Sequence, residues 1–308
     1  MQDMNIFIYL PNWLGDAVMA SAALKALLTS FPKAKYLIYG SFVSSQIYEN
    51  LSRDYDISFV IENKKKRFRQ ALSLRAQHFD LAISFKGSMS ARLFLLLLRA
   101  KKRLMFFQKI SSKHQVLKYL ELLRGLVKIP ENPELFLPFK KRKTQKLFGI
   151  NAGAKYGSAK RYEPEYFAIV AKHFAPWYKI VIFGVESEQE LCAQIEQSLL
   201  KKGVKAINLC GKTSIKNLVK IISSLDLMLS NDSGPMHVAA AMGVKTLGIF
   251  GPTNFYETSP FSKRASIVHL SLACMPCMKR ICPLKHQNCM KQLMPELIIK
   301  KLELLQGL

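Results

Sequence analysis

The sequence predicts an α/β protein made of two parallel-sheet domains. Three observations carry that reading: the length of the chain, its apolar content, and a regular alternation of short β-rich runs with helix-length segments. At 308 residues the chain exceeds one ordinary domain and suits two of roughly 150, each able to bury its own core. Apolar residues make up 49% and charged residues 22%, the balance of a folded chain and not of a disordered one.

The elements follow in order. Asn5 to Leu10, Lys35 to Tyr39, Ile57 to Ile61, Asp80 to Phe85 and Arg103 to Phe107 read as strands separated by helical patterns. Such βαβ alternation gives a parallel sheet covered on both faces. A second series starts at Lys146 and continues with Lys179 to Gly184, Ala206 to Gly211, Leu227 to Ser230 and Lys245 to Gly251, with helices between, such as Ser214 to Leu225. Pro130, Pro133 and Pro138, followed by Lys140, Lys141, Arg142 and Lys143, mark a solvated linker, because proline fixes φ and removes donors. Open parallel sheets bind ligands beyond the carboxyl ends of their strands, so two such domains facing each other would hold a central cleft.

Charge is the unusual bulk property: 46 Lys and Arg against 21 Asp and Glu, a formal balance of +25. That balance implies an anionic partner, which nucleic acid, acidic phospholipid and a phosphorylated or carboxylated glycolipid would each satisfy. Residues 1 to 10 lack the basic and apolar regions of a signal peptide, and the longest apolar run, Leu93 to Leu98, is closed by Arg99, Lys101, Lys102 and Arg103. The expectation is a cytoplasmic protein with no membrane span. Six cysteines in that setting read as reduced thiols.

Three clusters stand just after strands. Leu10-Pro-Asn-Trp-Leu-Gly-Asp16 opens a helix expected to reach Thr29. Asp16 lies in its first turn, where a carboxylate either serves the helix start or acts as a general base at a strand end. Ser230-Asn-Asp-Ser-Gly-Pro-Met-His237 starts another helix. Its free N–H groups at Ser233 and Gly234, with His237 as a further donor, suit a diphosphate; the alternative is plain helix capping with a packed histidine. Asn151-Ala-Gly-Ala-Lys-Tyr-Gly-Ser-Ala-Lys160-Arg161 is a glycine-containing loop whose cations either reach a diphosphate or lie in solvent. Neither a dinucleotide fingerprint nor a P-loop is present. Cys274, Cys277, Cys282 and Cys289, with His286 nearby, superficially suggest a zinc site but fit no standard zinc spacing; they read as buried or loop-stabilising thiols, with a metal site as the alternative. No metal is assigned.

Together these clusters resemble the ADP-heptose:lipopolysaccharide heptosyltransferases, inverting enzymes of the GT-B architecture with two Rossmann-like domains. Pro-Asn-Trp-Leu-Gly-Asp-Ala-Val-Met-Ala (11 to 20), Gly-Ser-Ala-Lys-Arg-Tyr (157 to 162), Ser-Asn-Asp-Ser-Gly-Pro-Met-His-Val-Ala-Ala-Ala-Met-Gly (230 to 243) and Phe-Gly-Pro-Thr (250 to 253) carry the resemblance across nearly the whole chain. Trp-Leu-Gly-Asp, Ala-Lys-Arg-aromatic and the cysteine segment at 274 to 286 look more like the second heptosyltransferase than the first. Tyr162 stands where many relatives of that type have Trp, which keeps an aromatic platform.

The resemblance implies an acceptor-binding domain at 1–140 and a nucleotide-sugar domain at 141–308. It makes Asp16 the base, Lys160 a cation near the donor phosphates, and Asp232, Ser233, Gly234 and His237 the donor motif. Glu188 would hold ribose hydroxyls, and Thr213 would lie near the adenine. ADP-heptose is then the donor, with no cofactor, and the acceptor an anionic Kdo-lipid A glycolipid at the inner face of the inner membrane. Peripheral attachment falls to Lys64, Lys65, Lys66, Arg67 and Arg69, whose alternative is a solvated helix face. Two other functions compete. One is the first heptosyltransferase or another nucleotide-sugar transferase of this architecture. The other is a basic nucleic-acid-binding protein, for which charge speaks but no recognised motif does.

Overall fold

The computed structural model describes residues 4–107, 112–143 and 145–307. The chain divides into two units, Met1–Phe139 and Lys140–Leu308. The division falls in the proline-marked segment, whose start is tied to the first unit. There Asn50 donates to the Pro138 carbonyl at 3.0 Å, and the Phe136 N–H donates to Ser21 Oγ at 2.9 Å.

In the first unit the described strands form one parallel sheet: β1 (Asn5–Tyr9), β2 (Lys35–Gly40), β3 (Ile57–Ile61), β4 (His78–Ser84) and β5 (Arg99–Met105), in the order β3-β2-β1-β4-β5. Its helices are α1 (Leu14–Met19), α2 (Ser21–Ser30), α3 (Phe42–Gln46), α4 (Arg67–Leu74), α5 (Met89–Leu97) and α6 (Gln115–Glu121). Along β1, Phe7 and Tyr9 join the core beneath α4 and α5, while Ile6 and Ile8, on the opposite face, are equally buried. Both faces are therefore covered, as a parallel sheet requires. Right-handed crossovers put α1, α2 and α3 on one side and α4 and α5 on the other; α6 packs against α1 and α2.

In the second unit β6 (Leu147–Asn151), β7 (Lys179–Phe183), β8 (Ala206–Asn208), β9 (Leu227–Asn231), β10 (Lys245–Ile249) and β11 (Ala265–Val268) make a parallel sheet of order β11-β10-β9-β6-β7-β8. The accompanying helices are α7 (Pro164–Phe174), α8 (Gln189–Lys201), α9 (Ile215–Ile222), α10 (Gly234–Ala241), α11 (Phe255–Thr258), α12 (Asn288–Lys291) and α13 (Pro295–Gln306). Phe148, Ile150, Phe167, Phe174, Ile182 and Leu229 centre its core.

Three differences from the sequence expectations have physical causes or plain positions. β5 begins at Arg99, not Arg103, because an edge strand carries exposed Arg and Lys at little cost and is protected from mispairing by them. The helix expected to run to Thr29 is divided at Ala20 (φ −73°, ψ −10°) into α1 and α2. The short edge strand β11 gave no periodic signal. Among the described residues no helix is long and apolar enough to cross a membrane.

Candidate functional site

Each sheet reverses its strand order at one place, and there adjacent strands lead their loops to opposite sides and leave a crevice. In the second unit the reversal lies between β6 and β9, and the loops leaving those strands are the ones the sequence singles out.

After β9, Asp232 and Ser233 lead into α10, with Ser233 as the extended N-cap (φ −156°, ψ 170°) and Pro235 in the first turn. Proline has no N–H to leave unsatisfied there. The first N–H groups of such a helix have no intrahelical acceptor, an arrangement chemically suited to an anion. At the end of β6, Asn151 Nδ2 reaches Ser233 Oγ at 2.7 Å and Ser230 Oγ, within β9, at 3.2 Å, pinning the two strand ends together. Asn231 Nδ2 donates to the Ala152 carbonyl from the other side.

Lys160 closes this arrangement. Its Nζ lies 2.5 Å from Asp232 Oδ2, and Thr253 Oγ1, from the loop after β10, donates to the same oxygen at 2.7 Å. Both side chains of the ion pair are buried, at 11% and 7% exposure, where charges interact far more strongly than in water. The Tyr156 ring lies 4.7 Å from Lys160 Nζ, and Arg280 stacks on the same ring at 5.2 Å. Tyr156, not Tyr162, is thus the aromatic beside Lys160. Tyr162 is fully buried in the core, its hydroxyl donating to the Leu293 carbonyl at 2.7 Å.

The cysteine segment props up the Lys160 loop. The Ala159 N–H donates to the Arg280 carbonyl at 3.0 Å, Tyr156 Oη to the Met278 carbonyl at 2.8 Å, and Gln287 Nε2 to the Ser158 and Arg161 carbonyls. A Cβ at Gly157 would come within 2.2 Å of the Arg280 carbonyl oxygen, so this approach needs glycine. Cys274, Cys277, Cys282, Cys289 and His286 line one small apolar cavity beneath the loop. All six cysteines are free thiols. Burial, reinforced by the three neighbouring cysteines, pushes the Cys289 thiol up to about 11. Among the described residues no group of three or more His, Cys, Asp or Glu is arranged to hold a metal ion.

The remaining expected donor residues lie at different depths. Glu188 is drawn to the end of β6: its Oε2 accepts from the Val185 N–H at 3.0 Å, and a Cβ on Gly153 would fall 2.0 Å from it. His237 is buried at 3% exposure. Thr213 is half-buried between β8 and α9, at the sheet edge, three strands from β9.

In the first unit the reversal lies between β1 and β4. Asp16 stands in the first turn of α1, directly after the β1 loop, half-buried. Burial first, and then the Asp16 carboxylate, holds the Tyr119 phenol of α6 protonated well above its ordinary range. Beside this loop lies a charge network that sequence reasoning missed. Glu62, its side chain 1% exposed, pairs with Lys86 at 3.1 Å and Arg67 at 2.5 Å and accepts from Tyr9 Oη at 2.5 Å. Lys86 Nζ also reaches Asn12 Oδ1 at 3.1 Å. Position just after a strand was the available signal, since Glu62 follows β3 and Lys86 follows β4. Arg67 is therefore committed to a buried carboxylate, whereas Lys64, Lys65, Lys66 and Arg69 are exposed.

Comparison with known proteins adds to this geometry. The model of glycosyltransferase family 9 (heptosyltransferase) matches residues 113–288. The chain is 46% identical over 312 residues to lipooligosaccharide heptosyltransferase 2 of Campylobacter jejuni, covering 97% of each. It is 26% identical to the Haemophilus influenzae protein of that name, covering 87% of this chain and 89% of the relative. Among solved structures, E. coli ADP-heptose LPS heptosyltransferase II superposes with a TM-score of 0.77 at 22% identity, covering 98% of each chain. E. coli heptosyltransferase WaaC with ADP superposes with a TM-score of 0.78 at 15% identity, over 98% of this chain and all of that one. At these identities the superpositions speak for the fold.

Proposed function

The chain belongs to glycosyltransferase family 9, the heptosyltransferases, and from that premise we propose that it transfers heptose from ADP-heptose to the heptosylated Kdo-lipid A inner core of lipopolysaccharide or lipooligosaccharide. The donor is the one named for the E. coli relative of the same fold, and the assignment to the second step follows the name of the Campylobacter relative, lipooligosaccharide heptosyltransferase 2. The observation that carries the reading is the Lys160–Asp232–Thr253 cluster at the amino end of α10.

The diphosphate of the donor lies against the Ser233–Gly234 helix start. As the glycosidic bond to ADP breaks, charge builds on the departing phosphate oxygen, where preoriented N–H groups and an ammonium act most strongly. Asp232 bears a charge of the wrong sign for that phosphate; its work is to hold Lys160 in place. Asp16 takes the proton from the acceptor hydroxyl, which attacks the anomeric carbon from the face opposite ADP and inverts it. Glu188 holds the ribose, with Thr213 and His237 in supporting places, and no metal ion enters. The acceptor's own anionic charge and the exposed Lys64, Lys65, Lys66 and Arg69 attach the enzyme peripherally to the inner face of the inner membrane, on the cytoplasmic side.

The experiment is an assay with ADP-heptose and two acceptors, Kdo-lipid A with and without its first heptose. Transfer to the heptosylated acceptor alone supports the reading. Transfer to the bare one alone makes the chain the first heptosyltransferase, and consumption of neither refutes the donor or the acceptor assignment.

A further inference from the structure

The outer face of the α4–α5 layer is both apolar and basic. The two helices pack on each other and cover the same side of the first sheet, their inner residues Ala71, Leu74, Phe94 and Leu95 sharing one core with Phe7 and Phe79. A surface helix normally turns polar residues outward, whereas these also turn large apolar ones outward. Phe68 and Leu72, one turn apart on α4, are 63% and 44% exposed; Met89, Leu93 and Leu96, on successive turns of α5, are 65%, 56% and 61% exposed. Phe107, just beyond β5, is exposed too, with the Arg92 guanidinium 4.0 Å above its ring. Large apolar side chains grouped in this way on a two-helix layer form a patch, and patches rimmed by polar residues mark interaction sites.

The surrounding charge identifies the partner. Residues 62–107 contain twelve Lys or Arg and two acids, Glu62 and Asp80. Both acids are already paired, Glu62 with Lys86 and Arg67, Asp80 with Lys101. Lys64, Lys65, Lys66, Arg69, Arg75 and Arg99 are exposed. A second copy of the chain would set like charge against like. A nucleic acid would match the cations but leave the leucines in water. An anionic bilayer answers both features, with phosphates for the cations and the acyl boundary for the apolar side chains.

We propose that the α4–α5 outer face is a membrane-docking surface: Phe68, Leu72, Met89, Leu93 and Leu96 enter the headgroup–acyl boundary of an anionic bilayer while Lys64, Lys65, Lys66, Arg69 and Arg75 lie on its phosphates. The inference rests on the peripheral attachment given above and adds to it an apolar component that salt does not screen.

The test uses the full chain with vesicles of phosphatidylethanolamine and phosphatidylglycerol, against vesicles of phosphatidylcholine. Sedimentation is measured from low to high ionic strength for the wild type, for the double variant Leu93→Ser/Leu96→Ser, and for a triple variant with Lys64, Lys65 and Lys66 each changed to Ser. Thermal melting verifies that each variant is folded. The wild type is expected to favour anionic vesicles and to keep part of its binding at high salt. The leucine variant should lose that salt-resistant part, with partitioning at least about tenfold lower; the lysine variant should lose mainly the salt-sensitive part. Phe68→Trp should show a blue-shifted emission relative to wild type on anionic vesicles, quenched by brominated acyl chains. Vesicle binding with no change in that emission and no loss in the leucine variant overturns apolar docking while leaving peripheral attachment intact. Absence of vesicle binding even at low ionic strength overturns both. A wild-type dimer that the leucine variant dissociates, without vesicle binding, gives the face to a second copy and overturns the proposal.

Discussion

Lys160 Nζ and Asp232 Oδ2 meet at 2.5 Å at the start of α10, and Thr253 Oγ1 donates to the same carboxylate oxygen. The pair joins the loop after β6 to the loop after β9. In the proposed transfer Lys160 acts on the leaving diphosphate, so in Lys160→Ala turnover should fall by roughly 10²–10³, the range for one oriented electrostatic donor. Asp232→Asn keeps the shape of the acceptor but loosens Lys160, and kcat/KM should fall by about ten- to a hundredfold. Steady-state kinetics with varied ADP-heptose check both; an Asp232→Asn enzyme of normal kcat/KM would separate this carboxylate from the donor site.

Asp16 is half-buried in the first turn of α1, beside the buried Tyr119. As the base it acts on the acceptor and not on the nucleotide, so Asp16→Asn should lower kcat by about 10²–10⁴ with ADP affinity unchanged by calorimetry. Near-normal turnover of that variant would remove Asp16 from the mechanism.

Glu62 gives a pH dependence of stability. Burial opposes its ionisation, but Tyr9, Lys86 and Arg67 outweigh that opposition and hold its carboxyl below the ordinary value of 4.5. A depressed folded-state value means the unfolded chain binds the proton first as pH falls, so this stabilisation is full above the ordinary value and is lost as pH drops through the folded one. Melting temperature should decline below about pH 4.5, and less steeply in Glu62→Gln. Lys86→Ala leaves a buried carboxylate with one cation fewer and should cost about 3 kcal/mol in denaturant unfolding. A variant within about 0.5 kcal/mol of wild type would show the network to be incidental.

The proposed transfer uses helix N–H groups and Lys160 in place of a metal ion. Turnover in excess EDTA, after dialysis against it, should equal turnover without it. A loss restored by an added divalent cation would require a metal in the donor site and reassign the charge stabilisation.

Much of the fold was legible, and parallel sheets put their variable loops where strands end. Ile57–Ile61 matched the observed strand from end to end, and the glycine-bearing clusters after β1, β6 and β9 fell at the two strand-order reversals. What stayed hidden was pairing across sequence. Nothing local tells that Arg67, one of a run of cations, turns inward to Glu62, or that Lys86 reaches back to Asn12, 74 residues away. Tyr162 shows the same limit: an aromatic next to a candidate donor-site lysine reads as a platform, yet the backbone carries it into the core and leaves Tyr156 at the lysine. In sequence the exposed leucines of α5 are only part of an apolar run; the packing of α4 and α5 on one face shows which of them remain outside.

The most direct measurement is a crystal structure of the chain with ADP. The account predicts diphosphate oxygens within hydrogen-bond distance of the backbone N–H groups that open α10 at Ser233 and Gly234, with the Lys160 ammonium on the same group. A nucleotide whose diphosphate lies away from that helix start, with Lys160 still closed on Asp232, would contradict it.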